Sequence, residues 1–438
     1  MVFTDKIDPI RNPLASRTWG IVLGTLVMVC AAGATFSLRT LSAPLLATLI
    51  VAIVAVIWRR GSWFGKFEAN ALTISTAAFF TLAVLSSLWA KQPLAAISEA
   101  SYGTAIVIAT CFFVYFFLAE DRTNSFHIAE GAWVGFCAGL LYMFFELQTD
   151  QSFKLWLYNF LQLTPKDVSP PGNFEWGADG RLLAIAPRDL TKNLISLPIL
   201  VWPCCLAMRA TLPRRLFPFI AAVMFILTAL VVFTSNHETS MVALVLSAIG
   251  FVLATRFEAF AFAFTKMVWI LCCLFAVPGA LLLYQLGMQN ARLLPPSAQH
   301  RVIIWNYSAK RILEQPILGH GVRTMKSICE DNIEKKCVTK MRDPIIAHSH
   351  NAFLQTWYEL GIVGITLLAI LGVALLNALQ RLPRIFSMFA LTSFVAGATA
   401  LTASTSLWSW GLLAVCSFAI CVFTIALRAS LRAPKLGR

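Results

Sequence analysis

The sequence predicts an all-α protein that crosses a membrane about twelve times. Hydrophobic residues make up 58% of the 438 residues and charged residues 13%, which is about half the charged fraction typical of soluble proteins. The hydrophobic residues occur in runs of roughly 20, the length that a helix needs to span a bilayer. These runs lack the alternation over about ten residues that marks membrane β-strands, so a helical architecture is favoured over a barrel.

The twelve hydrophobic runs divide the chain into membrane-spanning parts and two long loops. Spans 1–5 occupy residues 1–147, and a first long loop follows at 148–192. Spans 6–9 occupy 193–287, a second long loop occupies 288–350, and spans 10–12 with the C-terminal tail occupy 351–438. The first run lacks a small-residue cleavage pattern, so we expect it to be retained. The predicted spans are about 18–38, 41–58, 70–90, 98–119, 128–147, 193–209, 216–234, 240–256, 267–287, 351–379, 385–403 and 407–427.

The basic residues predict the orientation in the membrane. With a cytoplasmic N-terminus, the cytoplasmic segments hold 18 lysines and arginines, whereas the short loops on the other side hold Arg39 and Lys91. This bias predicts that both termini are cytoplasmic and that both long loops are outside. The net charge of +14 therefore reflects topology rather than nucleic-acid binding. The cytoplasmic loops are short and the chain has no Walker-type phosphate-binding loop, which argues against an ATP-driven pump.

The first long loop is predicted to form a short amphipathic helix and to end in a group of cations. Hydrophobic residues between Phe153 and Leu161 have the pattern of a helix that lies on a membrane surface, and Pro170 and Pro171 interrupt regular structure after it. Cations at an outer membrane surface can hold phosphate oxygens, or they can contact lipid headgroups and solvent. The candidates before the sixth span are Arg181, Arg188 and Lys192.

A short polar turn between the seventh and eighth predicted spans contains His237 next to Glu238. Ionisable residues this close to the membrane are candidates for a functional site. The alternative is a solvated hairpin tip, and both interpretations stay open.

The second long loop contains the densest set of candidate residues. A helix is predicted over 301–309, with Arg301 and Trp305 on one face; Trp305 can stack on a sugar or anchor the loop. A glycine-rich turn follows. Its candidate residues are Gly319, Gly321 and Arg323.

Cys329 and Cys337 also lie in the second loop, where an oxidising compartment would allow a disulfide. The spacing permits this pair without requiring it. Zinc binding is disfavoured because no Cys-x-x-Cys pattern is present, and we expect no metal site.

The second loop ends with His348 and His350, two residues apart at the start of the tenth span. Imidazole transfers protons near neutral pH, so this position suits acid–base chemistry on a substrate held at the membrane surface. Asn351 follows, and one expectation is that it caps the tenth helix. Gly361 and Gly364 lie further along and are expected to allow close packing of helices.

This pattern resembles the superfamily of O-antigen ligases and O-antigen polymerases. The ligase signature is a histidine, then asparagine, serine or glutamine, nine residues, a glycine, two residues, and glycine, threonine or tyrosine. The residues that match it are His350, Asn351, Gly361 and Gly364, preceded by Arg301, Trp305, Gly319 and Gly321. Many relatives have Ser-Arg-Gly after the seventh span, where this chain has Ser235-Asn-His-Glu. If an arginine is needed there, Arg188 or Arg181 would have to supply it.

The resemblance implies a multi-spanning (GT-C-like) glycosyltransferase fold and a metal-independent, inverting reaction on the periplasmic face of the bacterial inner membrane. A glycan would pass from an undecaprenyl-pyrophosphate donor to a sugar hydroxyl of lipid A–core, as in lipopolysaccharide biosynthesis. No cofactor is implied, because the donor is already activated. The implied roles are His350 as general base, Arg301, Arg188, Arg181 and Lys192 as pyrophosphate ligands, and His348, Asn351, Trp305, His237, Glu238, Gly319, Gly321 and Arg323 as supporting residues.

Three other functions stay open. An O-antigen polymerase and a protein O-oligosaccharyltransferase would use the same donor and much of the same motif. A glycolipid transporter belongs to a different class, and twelve spans would suit it. Transport paths carry ionisable residues near the bilayer midplane, however, and few such residues lie deep in the predicted spans.

Overall fold

The computed structural model describes residues 17–38, 70–165, 173–326, 348–403 and 406–431. Within these ranges the chain is almost entirely helical, and eleven helices are long and apolar enough to cross a membrane. The prediction of an all-α, polytopic membrane protein is therefore confirmed. Eleven predicted spans correspond to these helices. The remaining predicted span and the predicted Cys329–Cys337 pair lie outside the described residues.

The described part of the chain contains fourteen α-helices and one small hairpin. The helices are α1 (Arg17–Phe36), α2 (Ala71–Leu85), α3 (Pro93–Ala119), α4 (Arg122–Gln148), α5 (Ser152–Phe160), α6 (Pro187–Thr191), α7 (Ser196–Thr211), α8 (Phe217–Thr234), α9 (Glu238–Arg256), α10 (Glu258–Gln285), α11 (Pro296–Ile312), α12 (Ala352–Gln380), α13 (Arg384–Ala403) and α14 (Trp410–Ser430). The hairpin pairs β1 (Phe174–Trp176) with β2 (Leu182–Ile185) in antiparallel fashion.

The chain divides into two compact units. The first comprises residues 1–58, 109–248 and 414–438, and the second comprises residues 59–108 and 249–413. In the first unit, α1 and α4 pack at close range through glycines. A β-carbon added at Gly131 would lie 2.0 Å from the carbonyl oxygen of Gly24, and one added at Gly135 would lie 2.2 Å from that of Met28. Glycines spaced by four residues let membrane helices approach this closely.

The predicted short amphipathic helix of the first long loop is present as α5. Its exposed side chains are aromatic: Phe153, Trp156 and Phe160 are 41%, 56% and 68% exposed. Its opposite face carries Lys154, which is buried, and Asn159, whose amide side chain hydrogen-bonds both backbone groups of Leu182 at 2.9 Å. The helix is therefore fixed to the β1–β2 hairpin by its polar face and exposes its aromatic face.

In the second unit, α12 is the central helix and packs against α2, α10 and α11. Its first half is buried among large side chains; Tyr358 and Leu360 are fully buried. The helix is broken at Gly361, whose backbone angles are φ 61° and ψ −158°. Gly361 was expected to permit helix–helix packing inside a continuous helix. That expectation is wrong, because this residue interrupts the helix and contacts a loop.

Candidate active site

The candidate site lies at the start of α12 in the second unit, where α11 meets the segment from His348 to Asn351. Trp305 on α11 donates from its indole nitrogen to the carbonyl oxygen of Ser349, at 3.0 Å. The Ser349 hydroxyl donates in turn to the carbonyl of Asn351, at 2.8 Å. A direct hydrogen bond from the indole nitrogen of Trp305 thus joins α11 to the histidine segment.

The two histidines face one another across Ser349. Their ring centroids are 4.1 Å apart and the planes are inclined by 50°. His350 has a left-handed backbone (φ 51°), a conformation that turns the chain sharply before the helix begins. Burial lowers the pKa of His348 to about 3, and the neighbouring His350 and Lys326 act in the same direction. His348 is therefore neutral at physiological pH.

Asn351 is the N-cap of α12. Its side-chain oxygen accepts hydrogen bonds from the amides of Phe353 and Leu354, at 3.0 and 3.2 Å. These amides have no partner inside the first helical turn, so an asparagine at this position stabilises the start of the helix. The expected capping role is confirmed, and it fixes where the helix starts relative to His350.

The glycine-rich turn docks on the broken part of α12. The amides of His320 and Gly321 donate to the carbonyl oxygens of Tyr358 and Glu359, at 2.8 and 2.9 Å. The amide of Ile362 donates back to the carbonyl of Pro316 at 2.8 Å. These bonds replace helical hydrogen bonds that the break at Gly361 removes. They explain why the same motif contains both a glycine-rich turn and a glycine within the helix.

The glycines of the turn are needed for close approach of backbone to backbone. Gly319 and Gly321 have φ of 67° and 84°, which L side chains rarely adopt. A β-carbon at Gly319 would lie 2.5 Å from the carbonyl carbon of Glu359, and one at Gly321 would lie 2.7 Å from Ala90. Their described contacts are with backbone atoms and, for Gly321, also with the β-carbon of Ala90, which indicates a structural role.

Arg323, the last candidate of this turn, is held by acidic and amide side chains. Its Nε lies 3.3 Å from a carboxylate oxygen of Glu99, and both side chains are largely buried. Its Nη1 donates to Gln92 at 2.7 Å. Its backbone amide donates to Glu359 at 3.1 Å. The guanidinium therefore connects the glycine turn to the start of α3.

The predicted cations of the first long loop belong to the first unit. Lys154 and Lys192 both pair with Asp189, and Arg188 donates to the side chain of Asn173. Arg181 is exposed, 3.7 Å from Asp179. Of the two lysines on Asp189, Lys154 is 3% exposed and Lys192 is 45% exposed. Lys154 is a buried cation that the sequence pattern did not single out, because its partner lies 35 residues downstream.

The remaining candidates, His237 and Glu238, lie at the start of α9 in the first unit. The Nδ1 atom of His237 is 2.6 Å from the hydroxyl of Ser240, and the carbonyl of His237 accepts from the Ser240 amide at 3.0 Å. These bonds tie His237 to the first turn of α9. Across the described ranges, no group of three or more histidine, cysteine, aspartate or glutamate side chains is placed to hold a metal ion.

Comparison with known proteins shows which family this region matches. Residues 222–369 match the family model described as O-antigen ligase. The match covers 148 of the 438 residues. The matched region includes the Trp305 helix, the glycine turn, both histidines and the break in α12. The cations at 181, 188 and 192 precede it.

Several curated relatives share part of this chain. A protein of Rickettsia conorii named "Putative polysaccharide ligase" is 38% identical over 88 residues, which is 20% of this chain and 21% of that protein. Proteins of the same name from Rickettsia typhi and Rickettsia bellii are 41% and 34% identical over 73 residues. The alignments therefore span about a fifth of each relative.

Within the region that matches the O-antigen ligase family model, the structure brings together His348, His350, Asn351 and Trp305. Glu359, which is 2% exposed inside α12, was not among the site residues predicted from the sequence. An acidic residue within a hydrophobic run was the available signal, because membrane helices rarely carry one without a specific partner.

Proposed function

We propose that this protein is an O-antigen ligase that transfers a glycan from undecaprenyl pyrophosphate to a sugar hydroxyl of lipid A–core. The reaction would take place on the periplasmic face of the inner membrane. The observation that carries the proposal is the His348–His350 pair, placed at the start of a membrane helix inside the matched family domain. The basic-residue asymmetry of the loops supports the periplasmic assignment.

In the proposed reaction, His350 removes the proton from the acceptor hydroxyl as the oxygen attacks the anomeric carbon of the donor sugar. The bond from that carbon to the pyrophosphate oxygen breaks, and undecaprenyl pyrophosphate leaves with the electron pair. A positioned general base of this kind contributes about 10²- to 10⁴-fold to the rate. His348 is neutral, so it can orient His350 without placing a second positive charge beside the imidazolium that forms.

The charge that develops on the leaving pyrophosphate requires cationic groups. We assign this role to Arg301 on α11 and to Arg188, with Arg181 and Lys192 as further candidates. Lys192 pairs with Asp189, and this carboxylate offsets part of the positive charge that Lys192 offers. Arg301 lies on the helix that also carries Trp305, whose indole binds the histidine segment, and this supports Arg301 as the first choice.

The test uses a strain lacking the gene, complemented with variants. His350→Ala is expected to abolish the ladder of O-antigen bands on a lipopolysaccharide gel, with normal levels of the protein in the membrane. His300→Ala is the matched control, because His300 is an exposed histidine on α11 and is expected to leave the ladder intact. A normal ladder with His350→Ala would overturn the assignment.

The form of the defect separates the ligase from its alternatives. Loss of a ligase leaves polymer on the lipid carrier, whereas loss of a polymerase leaves lipopolysaccharide with a single repeat. Loss of a protein ligase leaves lipopolysaccharide unchanged. With purified protein, a chelator should not affect the rate, and inhibition that added metal reverses would contradict the metal-independent mechanism.

A further inference from the structure

Glu359 is a buried carboxylate within α12 that receives three hydrogen bonds. The indole nitrogen of Trp408 donates to it at 2.5 Å, and the side-chain amide of Gln355 donates at 3.1 Å. The backbone amide of Arg323 also donates, at 3.1 Å. All three partners donate a hydrogen bond, which suits a carboxylate because its two oxygens only accept hydrogen bonds.

Gln355, one turn earlier, extends the same network. Its side-chain oxygen accepts from the amide of Leu407 at 2.8 Å, and its nitrogen donates to the hydroxyl of Ser406 at 2.9 Å. Glu359 and Gln355 together therefore bind both the glycine turn and the segment that precedes α14. All of these groups belong to the second unit.

The position of Glu359 beside the break in α12 gives the network a geometric role. Gly361 leaves the helical conformation, and the amide of Ile362 bonds to Pro316 in the turn. Residues 352–360 thus form a short helical segment of about 13 Å. Its direction is set by the glycine turn and the segment before α14, as well as by the rest of α12. One end of this segment carries Glu359, and the other end is capped by Asn351, next to His350.

We propose that Glu359 is a positioning residue for His350, because its hydrogen bonds to Trp408, Gln355 and Arg323 fix the direction of the 352–360 segment. The inference rests on the proposed function, in which His350 is the base. A displacement of about 1 Å at a reacting group can lower a rate by about 10²-fold. The network acts through the helix and does not contact the substrate.

The experiment compares three variants of the purified full-length protein, with lipid-linked glycan and lipid A–core as substrates. Glu359→Gln keeps the shape but turns an amide donor towards the existing donors. The exchange Gln355→Glu with Glu359→Gln returns one carboxylate to the network, one turn away. Glu314→Gln is the control, because Glu314 is 52% exposed in the same unit.

We expect Glu359→Gln to lower kcat by about 10²-fold while the KM for the lipid-linked donor stays within about twofold. The exchange variant should recover about tenfold of that loss, and Glu314→Gln should behave as wild type. Rates are expressed per folded protein, measured by size-exclusion chromatography and thermal melting. A purely structural role would lower the folded fraction and leave kcat per folded molecule unchanged.

The proposal is overturned if Glu359→Gln keeps the wild-type kcat, or if the exchange variant is no better than Glu359→Gln. If Glu359→Gln does not accumulate, Trp408→Phe decides, because it removes one donor to Glu359 and keeps a ring against Phe79. An unchanged kcat in Trp408→Phe would then refute the inference. Failure of the proposed function is separate, since His350→Ala would then react as fast as wild type.

Discussion

Replacing Gly361 by alanine tests whether docking of the glycine turn on a broken helix holds the candidate site together. A β-carbon at this position would lie 2.2 Å from the carbonyl oxygen of Ile317 and 2.7 Å from the amide of Leu318. These are backbone atoms, so they cannot rotate away as a side chain can. The φ and ψ of Gly361 also fall in a region that is essentially restricted to glycine, at a cost of about 1–3 kcal/mol for other residues.

The hydrogen bonds at the break add to this cost. Four backbone bonds join the turn to α12, through the amides of His320, Gly321, Ile362 and Val363, and each contributes about 0.5–1.5 kcal/mol net. If the turn separates, Gly361→Ala should therefore destabilise the protein by about 3–9 kcal/mol. Such a loss exceeds a typical point substitution by severalfold.

The assay is thermal melting of the detergent-purified protein, together with the O-antigen ladder in cells. Gly279→Ala is the matched control, because Gly279 lies in α10 of the same unit with nothing within 4 Å of an added β-carbon. Alanine should be neutral or slightly stabilising there. If Gly361→Ala melts at the same temperature as Gly279→Ala and supports a normal ladder, the docking of the turn does not stabilise the site.

Substitutions at the Asp189 ion pairs, at the helix cap and at His348 test three further features of the structure. Lys154→Ala should destabilise the protein by about 3–5 kcal/mol because it breaks a buried pair with Asp189, whereas Lys192→Ala, half exposed, should cost about 0–1 kcal/mol; equal melting temperatures would contradict this. Asn351→Ala should cost about 0.5–2 kcal/mol through the lost cap, and Asn351→Asp should restore most of it in the same melting assay. Because the pKa of His348 is lowered from 6.5 to about 3, the unfolded chain binds a proton at this residue below about pH 6.5, whereas the folded protein binds it only below about pH 3. The stability of the folded protein should therefore fall as the pH is lowered through this range. His348→Gln should flatten this dependence, and an unchanged pH profile of melting would refute it.

The hydrophobic runs were sufficient to predict the membrane helices, because span length is set by bilayer thickness. The cap at Asn351 could also be read locally, since it immediately precedes a hydrophobic helix. Helix ends beyond the hydrophobic run were less predictable. α10 begins at Glu258, nine residues before the predicted span. The predicted span started after Lys266, but the helix includes this lysine, which donates a hydrogen bond to Gln380 on α12.

Contacts between distant parts of the chain could not be predicted from local sequence. The motif indicated that Gly361 matters, but a glycine in a hydrophobic run fits close helix packing as well as a break that receives a loop. Arg323 was predicted as a supporting residue of the site, and its pairing with Glu99 depends on residues more than two hundred positions apart. Each of these contacts is decided by tertiary packing, which hydrophobic periodicity does not encode.

In the proposed reaction, His350 activates an acceptor sugar for transfer from a lipid-linked donor without nucleotide. The most direct measurement is a reaction of purified wild-type protein and His350→Ala with undecaprenyl-pyrophosphate-linked glycan and lipid A–core. We expect wild type to form glycan-bearing lipid A–core in the absence of nucleotide, and His350→Ala to be about 10²- to 10⁴-fold slower. Equal rates for the two proteins, or a requirement for nucleotide, would contradict the proposed reaction.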